Sequence, residues 1–372
     1  MNHRRPHNLP VLPSLALLAA ALLLCGCPPP NSEELQVTVT DEGGGEARTP
    51  PAETELLTLA RSEGEVTWYT SITADQAEKF AAKFEARYPG VPVRLVRGGT
   101  FDLAERVQRE ISTGQPRADV LHVLDPAIFV SLRQRGELLY YEPPEAAGVP
   151  VEYKDSGYWT GARLVTLGLA YDPKRLPADR APQRWRDLLE PRFQGKVGFK
   201  DAQTAGSAYA QYYFLRERYG VDFWQQLARL RPRIYKTEEG LVAAVASGEI
   251  LVAAGIMTGR SPGDEAGAPA VKMVLAKDGV PLVVGPMAVL SRAPHRSAAR
   301  LLMNYTLSPQ GQAALRDLLG AYPTRADVAA PQGWPALTTL PLLQPESGWT
   351  EYLEKQGALR SEYTRLFHGE GE

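Results

Sequence analysis

The sequence predicts a mixed α/β protein built as two lobes. Three observations carry this. Over residues 65–136, apolar runs of strand length alternate with amphipathic helices across short connections. A second alternation of the same kind runs from 163 to 256. Strand-like runs then return at 271–276 and 283–291, before a long helical stretch over 295–319. The chain must therefore cross between its two lobes more than once. No internal repeat of solenoid period is present.

The elements follow in order. Residues 65–70, EVTWYT, read as a strand. Thr73 is placed to cap the next helix, with Gln76 completing a capping box. Ala77, Phe80, Ala81, Phe84 and Tyr88 recur on one face of that helix, and Pro89-Gly90 ends it. VPVRLVRG, 91–98, is the second strand, and a helix through Leu103, Val107 and Ile111 follows Gly99-Thr100. ADVLHVL, 118–124, is the third strand. Asp125 is the N-cap and Pro126 the first residue of the next helix, which Gly136 closes. This β-α-β-α-β-α order predicts a parallel sheet covered on both faces. The second unit reads as strands at 163–172 and 195–202, helices at 206–220, 222–230 and 237–249, and a strand at 250–256.

The N-terminus has its own grammar. Residues 1–9 carry Arg4 and Arg5 and no acid, and 10–24 are almost wholly apolar, the pattern of an export signal. The run is short of the roughly 20 apolar residues that a membrane-spanning helix needs. Both cysteines of the chain, Cys25 and Cys27, follow it directly. Leu24-Cys25-Gly26-Cys27 resembles the bacterial lipobox, with Cys25 standing where Ala or Ser is commoner. The resemblance implies removal of residues 1–26 and a lipid on Cys27. The remaining chain then has no other cysteine, which excludes cysteine catalysis, zinc–cysteine sites and disulfides. Residues 28–55 are rich in Pro, Gly and acids and read as a disordered or semi-extended tether, placed over 27–60 with its flanks.

Composition narrows function. The chain is 44% hydrophobic and 23% charged, an ordinary globular balance. Its net charge is −2, or −4 without Arg4 and Arg5, which argues against a nucleic-acid partner. No nucleophile-elbow, zinc-protease, Walker or dinucleotide-binding motif is present, and the five histidines are scattered. The expectation is a protein that is not an enzyme and needs no cofactor or metal.

In an α/β sheet, ligands bind beyond the carboxyl ends of the strands, where helices begin. The residues at those junctions are Ser71 and Thr73; Gly98, Gly99 and Thr100; Asp125; Gly206 and Ser207; Thr237; and Met257 with Thr258. Most are small or hydroxylated, and helix N-termini add free N–H donors, so two facing lobes would form a cleft suited to an anion. Thr73, Thr100, Asp125, Ser207 and Thr237 also suit plain helix capping. Arg163 can supply the positive charge, or a surface or inter-lobe ion pair. Tyr69 and Trp159 suit stacking on a ring, or core packing.

These residues resemble a family. VTWYTSITADQAEKF…RADVLHV, VTLGLAYDPKRLP, RWRDLLEPRFQGKVGFKD, AVASGEILVAAG and LSPQGQAAL…GAYPTRADV match, in order, landmarks of the bacterial family 1 extracellular solute-binding proteins of the ferric-ion and thiamine type. The resemblance covers about residues 64–330. It implies a type II periplasmic-binding-protein fold, with one lobe from 61–160 and about 271–320 and the other from about 161–270 and 321–368. It implies a monomeric, exported, lipid-anchored receptor that closes on a small solute and delivers it to an ABC permease. Ferric members hold iron with an adjacent tyrosine pair after the strand matching EILVAAG. Here that position reads IMTGRSPG, and only Tyr209 falls where some ferric members have a further tyrosine. Tyr212-Tyr213 lies inside a helix and reads as packing. The solute stays open among phosphate or phosphonate esters, carboxylates, thiamine, polyamines and iron, and so does a sensory role.

Overall fold

The computed structural model describes residues 53–259, 271–346 and 348–369. The signal segment, Cys27 and most of the expected tether lie outside the described residues. The chain divides into two units, Met1–Gly44 and Gly45–Glu372, and all described residues belong to the second. Among them, no helix is long and apolar enough to cross a membrane.

The strands are β1 (Val66–Thr70), β2 (Val93–Arg97), β3 (Val120–His122), β4 (Lys154–Asp155), β5 (Trp159–Tyr171), β6 (Val197–Lys200), β7 (Arg233–Tyr235), β8 (Val252–Met257), β9 (Lys272–Val274), β10 (Val280–Val289) and β11 (Leu342–Leu343). The helices are α1 (Glu53–Glu63), α2 (Ala74–Arg87), α3 (Thr100–Ser112), α4 (Pro126–Gln134), α5 (Gly206–Tyr219), α6 (Val221–Arg229), α7 (Glu238–Ser247), α8 (Arg296–Leu307), α9 (Pro309–Leu319) and α10 (Trp349–Phe367).

The strands join in the order β2-β1-β3-β10-β5-β8-β6-β7, with β4, β9 and β11 at the side. At one end β2, β1 and β3 are parallel, as the β-α-β-α-β-α reading predicts. At the other end β7, β6 and β8 are parallel. Between them β10 and β5 run antiparallel, so the sheet is mixed rather than wholly parallel. These two long strands are shared. β10 reaches β3 through Met287–Val289, and β5 reaches β8 through Leu167–Tyr171. They divide the molecule into a first lobe around β1–β3 and a second around β6–β8. Both strands are buried along their whole length, which explains their unbroken apolar sequence.

Three further expectations change. Residues 53–60, assigned to the tether, belong to helix α1, which buries Leu56 and Ala60 and packs on α8. Its apolar positions are few and stand among acids, so the Pro/Gly-rich stretch before it conceals them. The single helix over 295–319 is two, because Ser308 caps α9 and Pro309 has no N–H to continue α8. The Thr73/Gln76 capping box is absent: the Thr73 hydroxyl meets Gln76 Oε1 at 2.9 Å and caps no backbone N–H. The short strand β7 and the helix α10 have no counterpart in the sequence reading.

Candidate functional site

The site begins at the carboxyl end of β3. Leu124 and Asp125 end the strand region and start α4. Asp125 is fully buried and is the N-cap: its Oδ1 accepts from the Ala127 N–H at 2.9 Å. Its Oδ2 accepts from Gln356 Nε2 of α10 at 2.8 Å. Burial pushes the Asp125 carboxyl up to about 7, against its two hydrogen bonds and Arg360.

Against this edge of the first lobe stands the N-terminus of α5 from the second. A Cβ on Gly206 would lie 2.2 Å from the Leu124 carbonyl oxygen and 3.0 Å from Thr100 Cγ2. Only glycine lets the two lobes approach so closely here. Gly99 also faces the second lobe, but a Cβ there would stand in ordinary contact with the Thr204 carbonyl oxygen at 3.5 Å, and closer, at 2.8 Å, to Asp102 of its own helix. The lobes therefore meet along a seam of strand ends and helix starts. α3 and α5 both enter it without a side-chain cap.

Arg163 lies on β5, where the shared strands run side by side. Opposite it, β10 bulges at Gly285/Pro286. Gly285 leaves room for the arginine, since a Cβ there would meet Arg163 Cγ and Leu124 Cδ2 at 3.0 Å each. A bulge that re-aims a side chain is a common device beside binding sites. Arg163 is 5% exposed, its Nε has no hydrogen-bond partner among the described residues, and the Glu238 carboxylate favours its charged form. Burial pulls it down to about 10, which leaves it a cation at neutral pH. Burying such a charge is expensive, on the order of several kcal/mol, unless its donors find partners. Other buried polar atoms of the described residues also lack partners, among them Ser71 Oγ, after β1, the Tyr209 hydroxyl, one turn into α5, both ring nitrogens of His122 and Trp159 Nε1. Burial, with Asp125 nearby, pushes Tyr209 far up, so its phenol remains a neutral donor.

The other expected residues fall into two groups. Ser207, buried at the start of α5, receives a hydrogen bond from Lys200 Nζ at 3.0 Å, and the same ammonium pairs with Glu238 at 2.7 Å. Thr100 and Gly206 line the seam. By contrast, the Thr258 hydroxyl is fully occupied by Thr166, donating to its carbonyl at 3.1 Å and lying 2.6 Å from its hydroxyl. Thr237 is an exposed N-cap that accepts from the Gly240 N–H at 3.1 Å. Met257 is half-buried in the β8 ladder opposite Leu167, and Thr73 is half-buried with its hydroxyl on Gln76.

Tyr69 and Trp159 are core residues: Tyr69 donates to Glu110 at 2.5 Å, and Trp159 packs on Phe129. Tyr212 donates to Glu362 at 2.6 Å, and Tyr213 packs on Tyr352 with ring centres 4.6 Å apart, so both are packing residues. His122 stacks on Trp68, and burial holds it neutral. Sequence reasoning missed Lys200, Glu238 and Gln356. A lysine at the carboxyl end of an apolar strand marked Lys200. No local signal marks Gln356, because it arrives from 231 residues away.

Two lobes meeting at a seam of helix N-termini, with a buried arginine beside it, are the architecture of a receptor for a small solute. The family model for bacterial extracellular solute-binding proteins matches residues 121–341. The chain belongs to that family, and is a solute-binding protein of the ABC-transporter type. A putative 2-aminoethylphosphonate-binding periplasmic protein of Salmonella typhimurium is 26% identical over 266 residues, 67% of this chain and 75% of that protein. The fructose-6-phosphate-bound periplasmic binding protein AfuA of Actinobacillus pleuropneumoniae superposes with a TM-score of 0.73 at 22% identity, over 82% of this chain and 99% of the other. Iron-bound HitA of Pseudomonas aeruginosa gives 0.70 at 24% identity, over 80% and 99%. These likenesses establish the two-lobed binding-protein fold. The proteins this chain resembles are binding proteins.

Proposed function

We infer that this chain is the exported, lipid-anchored receptor of an ABC importer, and that its lobes close on a small solute bearing a phosphate or phosphonate group. The lobes are about 61–160 with 271–320, and 161–270 with 321–368, amended by α1, which packs on the first lobe, and β9, which pairs with the second-lobe end of β5. The lipid on Cys27 keeps the receptor at the membrane, where it delivers the solute to a permease as a monomer. No bond is made or broken.

One observation carries the choice of an anion: Arg163 is buried, and its Nε has no hydrogen-bond partner among the described residues. Ser71 Oγ, the Tyr209 hydroxyl and the uncapped starts of α3 and α5 add neutral donors. Such a set suits oxygens of a tetrahedral anion, with the charge on arginine and orientation from hydroxyls and helix ends. The named ligands of two similar proteins, 2-aminoethylphosphonate and fructose-6-phosphate, have this chemistry. Closure follows from differential contact: an anion bridging Arg163 and the α5 N-terminus touches more groups when the lobes meet than when they part.

The test is a thermal-shift panel on Gly45–Glu372, unfolded and refolded to strip bound solute. The panel holds 2-aminoethylphosphonate, sugar phosphates, inorganic phosphate, dicarboxylates, thiamine, a polyamine and ferric citrate. A ligand at 100 times its Kd stabilises by about 2.7 kcal/mol. A shift with a phosphate or phosphonate compound is the expected result. A shift with ferric citrate or thiamine alone would overturn the anion reading.

A further inference from the structure

Helix α10 lies across both lobes, and its bonds to them are unequal. Toward the second lobe it is fixed by many groups. Tyr352 packs on Tyr209 and Tyr213. Glu362 accepts from Tyr212 and from Arg216 Nε at 2.9 Å. Lys355 pairs with Glu217 at 3.0 Å. Arg360 donates to the Gln203 side chain and carbonyl at 3.1 and 2.8 Å, while Gln203 donates to the Arg360 carbonyl at 2.8 Å. Phe367 packs edge-on against Phe199 and Trp224.

Toward the first lobe α10 lies along α4, and its polar hold is small. Among the described residues one hydrogen bond crosses, Gln356 Nε2 to Asp125 Oδ2 at 2.8 Å. One cation–π contact crosses with it, the Arg360 guanidinium 4.3 Å from the centre of the Phe101 ring. Both first-lobe partners stand at the seam. Asp125 starts α4 there, and Phe101 follows Thr100 in the first turn of α3.

We propose that α10 is a latch carried by the second lobe, and that Gln356 and Arg360 are positioning residues that set how far the lobes stay closed. Separating the lobes must break the Gln356–Asp125 bond and leave a buried carboxyl oxygen unpartnered until water reaches it. It must also part Arg360 from Phe101, while the Gln203, Glu362 and aromatic contacts travel with α10. A helix joined to both lobes near the solute thus makes closure partly intrinsic to the chain and independent of which solute binds.

The experiment uses solute-free Gly45–Glu372, so it is independent of the anion reading. Gln356→Leu and Arg360→Met are compared with the parent by small-angle scattering and amide hydrogen exchange. The expected result is a larger radius of gyration and about threefold to tenfold faster exchange in α4 and the first turn of α5, the effect of losing one such bond. Exchange in α6 and β6 stays unchanged. Phe101→Leu removes the same contact from the other lobe, so Phe101→Leu with Arg360→Met should do less than the sum of the two single effects. Unchanged scattering and exchange in all three folded variants would overturn the proposal. So would exchange that rises equally throughout the second lobe, since that reports loss of fold rather than release of a latch.

Discussion

Asp125 shows how much one residue can say, and where its sequence falls silent. Its role as N-cap before a proline was legible, because capping is a local matter of three adjacent residues. Its contact with Gln356 was not, because that needs the tertiary path of α10. The same division runs through the site. Arg163 could be named as a charge near a strand start. That it would be buried depends on the bulge at Gly285/Pro286 across the sheet, where Gly285 leaves it room. Thr258 looked like Ser71 in sequence, yet its hydroxyl is occupied by Thr166 while that of Ser71 is free. A sequence shows that a hydroxyl stands at a strand end, and folding decides whether the backbone takes it. Asp125 also gives a pH prediction. Folded, it holds its proton up to about 7, whereas the unfolded chain releases it near 4. Between those values the folded state binds more protons, so this group's contribution to stability falls as pH rises from about 4 to 7. Denaturant titrations at pH 5 and pH 8 should show the loss, of order a few kcal/mol, and Asp125→Asn should remove most of it.

At the scale of elements, periodicity and punctuation located most of the strands and helices, because amphipathic faces and Pro or Gly stops are written locally. Two failures have physical causes. A helix break at Ser308-Pro309 was hidden by apolar positions that continue in step on both sides. Helix α1 was hidden by a polar sequence whose stability comes from its contact with α8. That contact is specific: Glu63 at the end of α1 accepts from the Ser297 N–H at 3.0 and 2.9 Å and from the Ala298 N–H at 2.9 Å. A carboxylate from one helix therefore caps the start of another. Glu63→Ala should lower stability by about 0.5–2 kcal/mol, the usual value of a cap. It should also make α1 the first site of limited proteolysis. If the midpoint and the cleavage pattern stay the same, α1 is held by its apolar face alone.

For the whole molecule, the two-lobed design follows from two shared strands. β5 and β10 carry the chain between lobes, so the lobes can part by bending them without breaking the sheet at either end. Gln312 braces this region, donating to the Ala162 carbonyl at 2.6 Å and accepting from the Thr324 N–H at 2.8 Å. In the proposed function, closure traps an anion held by Arg163. Isothermal titration of the best phosphate or phosphonate ligand measures it most directly, with the parent beside Arg163→Met and Gly206→Val. Loss of the buried charge should weaken binding roughly 100-fold or more. Gly206→Val should weaken it as well, because its side chain meets the Leu124 carbonyl before the lobes meet, and should leave the fold intact. Affinity unchanged in folded Arg163→Met would contradict the account.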